Sequence, residues 1–276
     1  MQIRELGLYA GALVVFGGPY SNLQALRAMR QVAGVSRAIC TGDVVAYGAD
    51  PRACLQEVRD WGLAVVAGNC ERQLGAEALD CGCGFAPGTA CSVASGRWFA
   101  HARAQVTDAD RAWMVGLPDI AVLHHAGRRV AVLHGGAEVN NLFLWPQDSA
   151  ALHQQLDILR AQVGPVDRVL AGHCGLAYRR QVDGVDWINA GVIGMPPNDG
   201  CAQTRYVVLD ARGGAALHSL RYDHTAAAHA MQTAGLTQGY EVALASGWWP
   251  SEDVLPAELR RGSALREGMM RQYERF

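Results

Sequence analysis

Four short strings in this chain place a side chain able to ligate a cation beside a glycine: Gly42-Asp43, Gly68-Asn69, His134-Gly135 and Gly172-His173. Each follows an apolar run of strand length, and the glycine lets the backbone turn sharply where the run ends. A carboxylate, an amide oxygen and two imidazoles form a mixed oxygen and nitrogen set suited to Zn, Mn or Fe. Any one string alone reads as an ordinary turn. Four in order, each at a strand end, read as one site, because ligands bind beyond the carboxyl ends of strands in open α/β sheets.

Thiols are the second reactive group. Cys40, Cys54, Cys70, Cys81, Cys83, Cys91, Cys174 and Cys201 occur without an export signal, so they read as reduced thiols of a cytoplasmic protein. The string Asp80-Cys-Gly-Cys-Gly-Phe85 lacks the second cysteine pair that a structural zinc site needs, and glycine turns with small buried thiols are the simpler reading. His101, His124, His125, His153, His218, His224 and His229 have no supporting motif and read as surface or packing residues. The chain contains no lysine, so an anion must be met by arginine, with Arg179, Arg180 and Arg205 as candidates. Asn140 and Asn141, just behind His134, suit either a pocket or a turn. Trp248-Trp249-Pro250 suits packing against the sheet, with pocket cover or a dimer contact as alternatives.

The elements that must position these residues follow from periodicity. Leu8 to Phe16 is an apolar run ending at Gly17-Gly18-Pro19, and Leu23, Leu26 and Met29 then recur at helical spacing. Strand, loop and helix repeat through Ala38 to Thr41, Pro51, and Leu63 to Ala67. Residues 70 to 96 are rich in Gly and Cys without a period and read as a long loop. A helix over Asp108 to Val115 follows, then a hairpin of Ile120 to His124 with Val130 to His134, and a helix near Ala150 to Gln162. Arg168 to Ala171 is another strand. Leu176 to Val182, Val185 to Asn189, Gln203 to Asp210 and Ala215 to Arg221 read as antiparallel strands, and the chain from Thr225 reads as helical. This alternation predicts an α/β fold with mostly parallel strands and helices outside.

The 276 residues are half apolar, which allows a sizeable core, and carry a formal charge of -2. There is no apolar run of 18 residues, so neither a membrane span nor a general nucleic-acid surface is expected. Met1 to Leu13 reads as a first strand instead of a signal peptide. The expected division is a main domain over residues 1–224 and a helical extension over 225–276 packed on it.

These strings resemble the successive blocks of the calcineurin-like metallophosphoesterases, in particular their small prokaryotic phosphodiesterase branch. The blocks are Cys40-Thr-Gly-Asp-Val-Val-Ala-Tyr-Gly48 with Asp50-Pro51, Val65-Val-Ala-Gly-Asn69, His134-Gly135, Ala171-Gly-His173 and Trp187-Ile-Asn-Ala-Gly191. The likeness runs from about residue 8 to residue 222. It implies a four-layer αββα sandwich of two mixed sheets flanked by helices, and a site where two metal ions polarise a phosphoryl group and activate water. Carried over by position, Asp43 matches the bridging carboxylate, and Asn69, His134 and His173 match the other ligands of the second metal.

The first metal's ligands are absent. Gly18 stands at the Asp and Tyr20 at the His of an Asp-x-His block, and Gly175 stands at the second His of Gly-His-x-His. In the Gly-Asn-His-Asp block this chain has Gly68-Asn69-Cys70-Glu71, so a thiol replaces the histidine that serves as general acid or phosphate contact. The resemblance therefore implies a metal-dependent phosphoesterase acting on a small phosphomonoester or phosphodiester, holding one or two ions of Mn, Fe or Zn. Cys70 is the candidate proton donor or extra ligand, with Glu71 positioning it. Tyr20, Cys174, Cys81, Cys83, Asn22 and Asn140 are candidate replacement ligands or pocket residues. An inert scaffold that binds a ligand or metal, and a cysteine-supported Fe or Zn centre with other chemistry, are the alternatives. Self-association is left open.

Overall fold

The computed structural model describes residues 1–264 and 266–268. Along the chain the elements are β1 (Ile3–Tyr9), β2 (Leu13–Phe16), α1 (Leu23–Ala33), β3 (Arg37–Cys40), α2 (Pro51–Trp61), β4 (Ala64–Val65), α3 (Asn69–Gly75), α4 (Ala90–Gln105) and α5 (Asp108–Val115). They continue as β5 (Ile120–His125), β6 (Arg128–Leu133), α6 (Ser149–Val163), β7 (Arg168–Ala171), β8 (Ala177–Val182), β9 (Val185–Ala190), β10 (Thr204–Leu209), β11 (Ala215–Leu220), α7 (His224–Thr233) and α8 (Tyr240–Ser246).

Local chemistry sets the helix ends. Asn22 caps α1, its Oδ1 accepting the Ala25 amide at 3.0 Å. Pro51 opens α2 at a position where its missing N–H costs nothing, and Gly62 ends it at φ 65°. Thr107 and Asp110 cap α5 reciprocally.

Side-chain alternation then sorts the strands into layers. Leu13 and Val15 of β2 face one way, while Val14 and Phe16 face the other, and all four are buried. In β6, Val130 and Val132 face one way and Ala131 and Leu133 the other. Two sheets therefore meet face to face, a six-stranded one in the order β1-β5-β6-β7-β9-β8 and a five-stranded one in the order β11-β10-β2-β3-β4. Leu13, Val15, Ile39, Leu123, Val132, Leu170, Ile188 and Val207 fill the space between them. Each such side chain contributes roughly 1.5–3 kcal/mol of burial. Leu26, Met29, Leu55 and Val58 of α1 and α2 cover the outer face of the five-stranded sheet. Leu152, Leu156 and Leu159 of α6 cover the six-stranded one. This is the four-layer sandwich of two mixed sheets flanked by helices that the sequence predicts.

Three expectations need correction. Leu8 to Phe16 is not one strand: the chain turns at Gly11, φ 80°, so that β1 and β2 lie in different sheets. Strand β1, expected within Met1 to Leu13, is an exposed edge strand paired in parallel with β5. Nor is 70–96 one loop. The Glu71 carboxylate accepts the Gly68 amide at 2.9 Å and starts α3, while Thr89 caps α4, leaving only 76–89 irregular. Among the described residues the tail is only partly helical, since its backbone is mostly irregular over 247–263. Ala227, Met231, Tyr240 and Leu244 join the core outside the five-stranded sheet, whereas Leu255 and Leu259 join the core around α6. The segment between them crosses the edge where the two sheets meet. Residues 265 and 269–276, which fall in the expected helical extension, lie outside the described residues. Among the described residues no helix is long and apolar enough to cross a membrane.

Candidate functional site

Asp43 and Asn69 follow β3 and β4 of one sheet, and His134 and His173 follow β6 and β7 of the other. Both sheets present their carboxyl ends at the same edge, so four separate strand tips converge. The approach is tight: a Cβ on Gly42 would lie 2.6 Å from the Gly68 amide nitrogen and 2.8 Å from His134 Nδ1, and φ there is +100°. Only glycine serves at that position. Asp43 and His173 themselves sit at φ 56° and 63°, backbone strain concentrated at the site.

Hydrogen bonding fixes what these side chains offer. His134 Nδ1 lies 2.6 Å from the Thr41 carbonyl oxygen. A carbonyl can only accept, so Nδ1 carries the proton and Nε2 presents a lone pair. Asn69 donates its Nδ2 to the Cys81 carbonyl at 2.8 Å, which turns its Oδ1 toward His134 Nε2 at 3.1 Å. His173 Nδ1 lies 3.1 Å and Asp43 Oδ2 3.3 Å from the same Nε2. Four lone-pair atoms thus face one another in a buried space, with only one positive charge needed to reconcile them. Asp43, His134 and His173 offer ligand atoms all within 4.8 Å of one another. This donor set fits a cation.

The electrostatics agree. Burial pushes His134 down, but the Asp43 carboxylate outweighs it and holds the imidazole above its ordinary range. Burial and His134 together push His173 down to about 3. Burial alone would raise Asp43, yet His134 and His173 hold it below the usual carboxylate range. The cluster therefore takes one positive charge at its centre and resists a second proton.

Several expected residues fall elsewhere. Glu71 does not position Cys70. Its carboxylate is spent on three backbone amides, those of Asp43 at 2.8 Å, Gly68 at 2.9 Å and Val45 at 3.2 Å, and so it braces the turn that carries Asp43. Burial and the neighbouring Asp43 charge push it up to about 7. The Cys70 thiol lies behind Asn69, fully buried and outside the pocket lining, 3.5 Å from Asn69 Nδ2. Burial raises it well above the ordinary thiol range, which does not suit a proton donor to a ligand. Asn22 is a helix cap whose Nδ2 donates to the Gly194 carbonyl. Asn140 lines a separate surface depression with Arg72 and Asp119. Arg179 and Arg205 are committed to Asp186 and Asp199 at 2.6 and 2.8 Å, and among the described residues no arginine lines the pocket.

The loop cysteines come close without ligating. Cys83 lines the pocket and accepts from Asn69 Nδ2 at 3.3 Å, while Cys81 contributes its carbonyl. Cys174 also lines the pocket, but its Sγ accepts from Asn189 Nδ2 at 3.3 Å and lies 3.6 Å from the Leu176 carbonyl. Burial pushes this thiol up to about 12. Among the described residues no cysteine belongs to the group of ligand atoms. The softer, thiolate-supported site is therefore not what the side chains form.

Aromatic rings lie against Gly18 and Gly175, the two glycines that stand where first-metal ligands were expected. A Cβ on Gly18 would lie 2.6 Å from Tyr20 Cζ, so the Tyr20 ring lies where a carboxylate side chain would start. A Cβ on Gly175 would lie 3.1 Å from Trp249 Cζ2, so the tail residue Trp249 occupies the approach of the second histidine. Trp249 is held there by Nε1 donating to the Pro196 carbonyl at 2.7 Å. Trp249 packs against the cores outside both sheets, as expected, and also lines the pocket, the alternative reading.

A pocket of about 60 Å³ opens over Asp43 and His173. Phe85, Phe143, Tyr47 and Tyr240 line it and were not foreseen as site residues. The cluster Phe143-Leu-Trp145 close behind His134 was the available signal, since loops after ligand-bearing strands wall such sites. Asn189, in the fifth block, holds the His173 turn by donating Nδ2 to the Gly172 carbonyl at 2.6 Å.

Four similarities to known proteins bear on this site. Residues 21–214 match the family model described as calcineurin-like phosphoesterase superfamily domain. An uncharacterized protein of Methanocaldococcus jannaschii, MJ0912, is 38% identical over 72 residues; the match spans 25% of this chain and 30% of that protein's length. The fold is similar to that of a metallophosphoesterase from Sphaerobacter thermophilus, at a TM-score of 0.68 and 19% identity over 86% of this chain and 99% of that one. It is equally similar to the hypothetical protein PH1004 from Pyrococcus horikoshii, at a TM-score of 0.68 and 14% identity over 86% and 98% of the two chains.

Proposed function

Because the chain belongs to the calcineurin-like phosphoesterase superfamily, a family of metal-dependent phosphoric ester hydrolases, we propose that it hydrolyses a small phosphomonoester or phosphodiester with a single cation. The observation that carries this reading is the convergence of Asp43 Oδ2, Asn69 Oδ1, His134 Nε2 and His173 Nδ1 with no proton donor among them. These four would hold Mn, Fe or Zn, metals that suit oxygen and nitrogen ligands. When bound, such an ion supplies Lewis acidity to a phosphoryl oxygen and acidifies water.

The chain's own residues do the rest. Thr41 fixes the His134 tautomer through its carbonyl. Glu71 locks the Asp43 turn by accepting three amides, and Asn189 locks the His173 turn. Tyr20 and Trp249 exclude a second ion by occupying its ligand positions. The pocket excludes bulk water with aromatic walls, which strengthens every charge interaction at its floor. A cytoplasmic location belongs to the same proposal, supported by eight free thiols.

Metal analysis with an assay on bis-p-nitrophenyl phosphate tests the proposal. One tightly held ion per chain and turnover dependent on it are expected; protein that takes up no metal and shows no activity with Mn, Fe, Zn or Mg refutes it. The second reading, a binding scaffold without turnover, is favoured by the lack of any arginine in the pocket among the described residues. One bound ion per chain without turnover of any phosphoester would decide for it.

A further inference from the structure

The wall of the pocket is unlike its floor. Six aromatic rings line it, from Tyr20, Tyr47, Phe85, Phe143, Tyr240 and Trp249. The Phe143 ring lies 4.3 Å from the His173 ring, centroid to centroid, and stacks on Phe85 at 6.3 Å, so apolar surface begins beside the ligand atoms themselves. Among the described residues no guanidinium lines the pocket to share the charge of a polyanion, and Asp43 already places a negative charge at the floor. A volume of about 60 Å³ has room for roughly four to six waters, too little to enclose a nucleoside.

The three tyrosines add polar points to this surface. All three line the pocket; among the described residues the Tyr20 and Tyr47 hydroxyls have no hydrogen-bond partner, while that of Tyr240 pairs with the Cys91 thiol. The Tyr20 phenol end lies over Gly18, on the side where the lost ligands would have been, and it offers an uncharged O–H donor there.

Building on the single-cation reading, we propose that the ligand is a small phosphoester whose ester arm is a flat, uncharged aromatic ring. The arm lies among Phe85, Phe143 and Trp249, and the Tyr20 hydroxyl donates to a phosphoryl oxygen. An uncharged ring matches both the π-faces and the absence of arginine among the described lining residues. A sugar, a polyphosphate or a cationic headgroup matches neither.

The test is calorimetry on the full chain loaded with Mn, comparing phenylphosphonate with methylphosphonate, two stable anions of the same charge type. Phenylphosphonate is expected to bind at least about thirtyfold more tightly, the gain from burying one ring. Tyr20→Phe should weaken both by about fivefold or more with their ratio kept, since it removes one donor and little volume. Phe143→Leu should shrink the ratio, weakening phenylphosphonate more than methylphosphonate. Equal binding of the two phosphonates by Mn-loaded protein, or a Tyr20→Phe variant that binds both as the wild type does, overturns this inference and leaves the cation site standing. Wild-type protein that binds none of Mn, Fe, Zn or Mg overturns both readings.

Discussion

Replacing His134 by Ala removes the atom on which the other three ligands converge, and the geometry sets the size of the effect. Its Nε2 lies 3.1 Å from Asn69 Oδ1, 3.1 Å from His173 Nδ1 and 3.3 Å from Asp43 Oδ2. Without it, Asp43 keeps a buried charge with no close partner, so the metal-free variant should be less stable by ~3 kcal/mol. The larger consequence appears when metal is added. Ligand at a hundred times its Kd stabilises a folded chain by about 2.7 kcal/mol. For a domain of this size that is a rise in Tm of about 5–10 °C. Thermal melts with and without 1 mM Mn should show that rise in the wild type and almost none in His134→Ala. A variant whose Tm rises with Mn as much as the wild type's would refute the argument, because the imidazole would then not be a ligand.

Three further outcomes follow from the same structure. Glu71→Ala strands three buried amides, each worth ~1–3 kcal/mol, so denaturant unfolding should show a loss larger than that of any substitution at Cys70. Cys70→Ser should keep full metal content by elemental analysis, at a stability cost of ~1–3 kcal/mol for a hydroxyl in a thiol's buried place. Asp186→Asn breaks the carboxylate shared by Arg168 and Arg179 at the opposite end of the strands, and should cost ~3–5 kcal/mol without altering metal content. Burial would raise Asp186, but the Arg179 and Arg168 guanidinium groups overcome it and hold the carboxyl below its usual range. Its contribution is therefore complete above about pH 4 and is lost as pH falls through the lowered value, so the variant's stability should depend less on pH in acid.

The ligands were legible because each is tied to a local signal, a glycine at the end of an apolar strand, and the order of strands carries that signal into space. Asp43, Asn69, His134 and His173 meet as that pattern requires. What replaced the first metal was not legible, since it depends on chain distant in sequence. Trp249 reaches Gly175 from a tail 74 residues away. The Cys70 and Glu71 roles were misjudged for a related reason: adjacency suggested that one served the other, whereas Glu71 bonds to amides on the preceding strand's loop and Cys70 turns into the core. The break between β1 and β2 escaped because the apolar run from Leu8 to Phe16 continues across the turn at Gly11.

Crystals grown with Mn, measured at a wavelength where the metal scatters anomalously, test the central claim most directly. The account predicts one peak per chain, about 2.0–2.3 Å from Asp43, Asn69, His134 and His173. A second peak ~3.5–4 Å away between Tyr20 and Trp249, or a peak on the sulfurs of Cys70, Cys83 or Cys174, would contradict it.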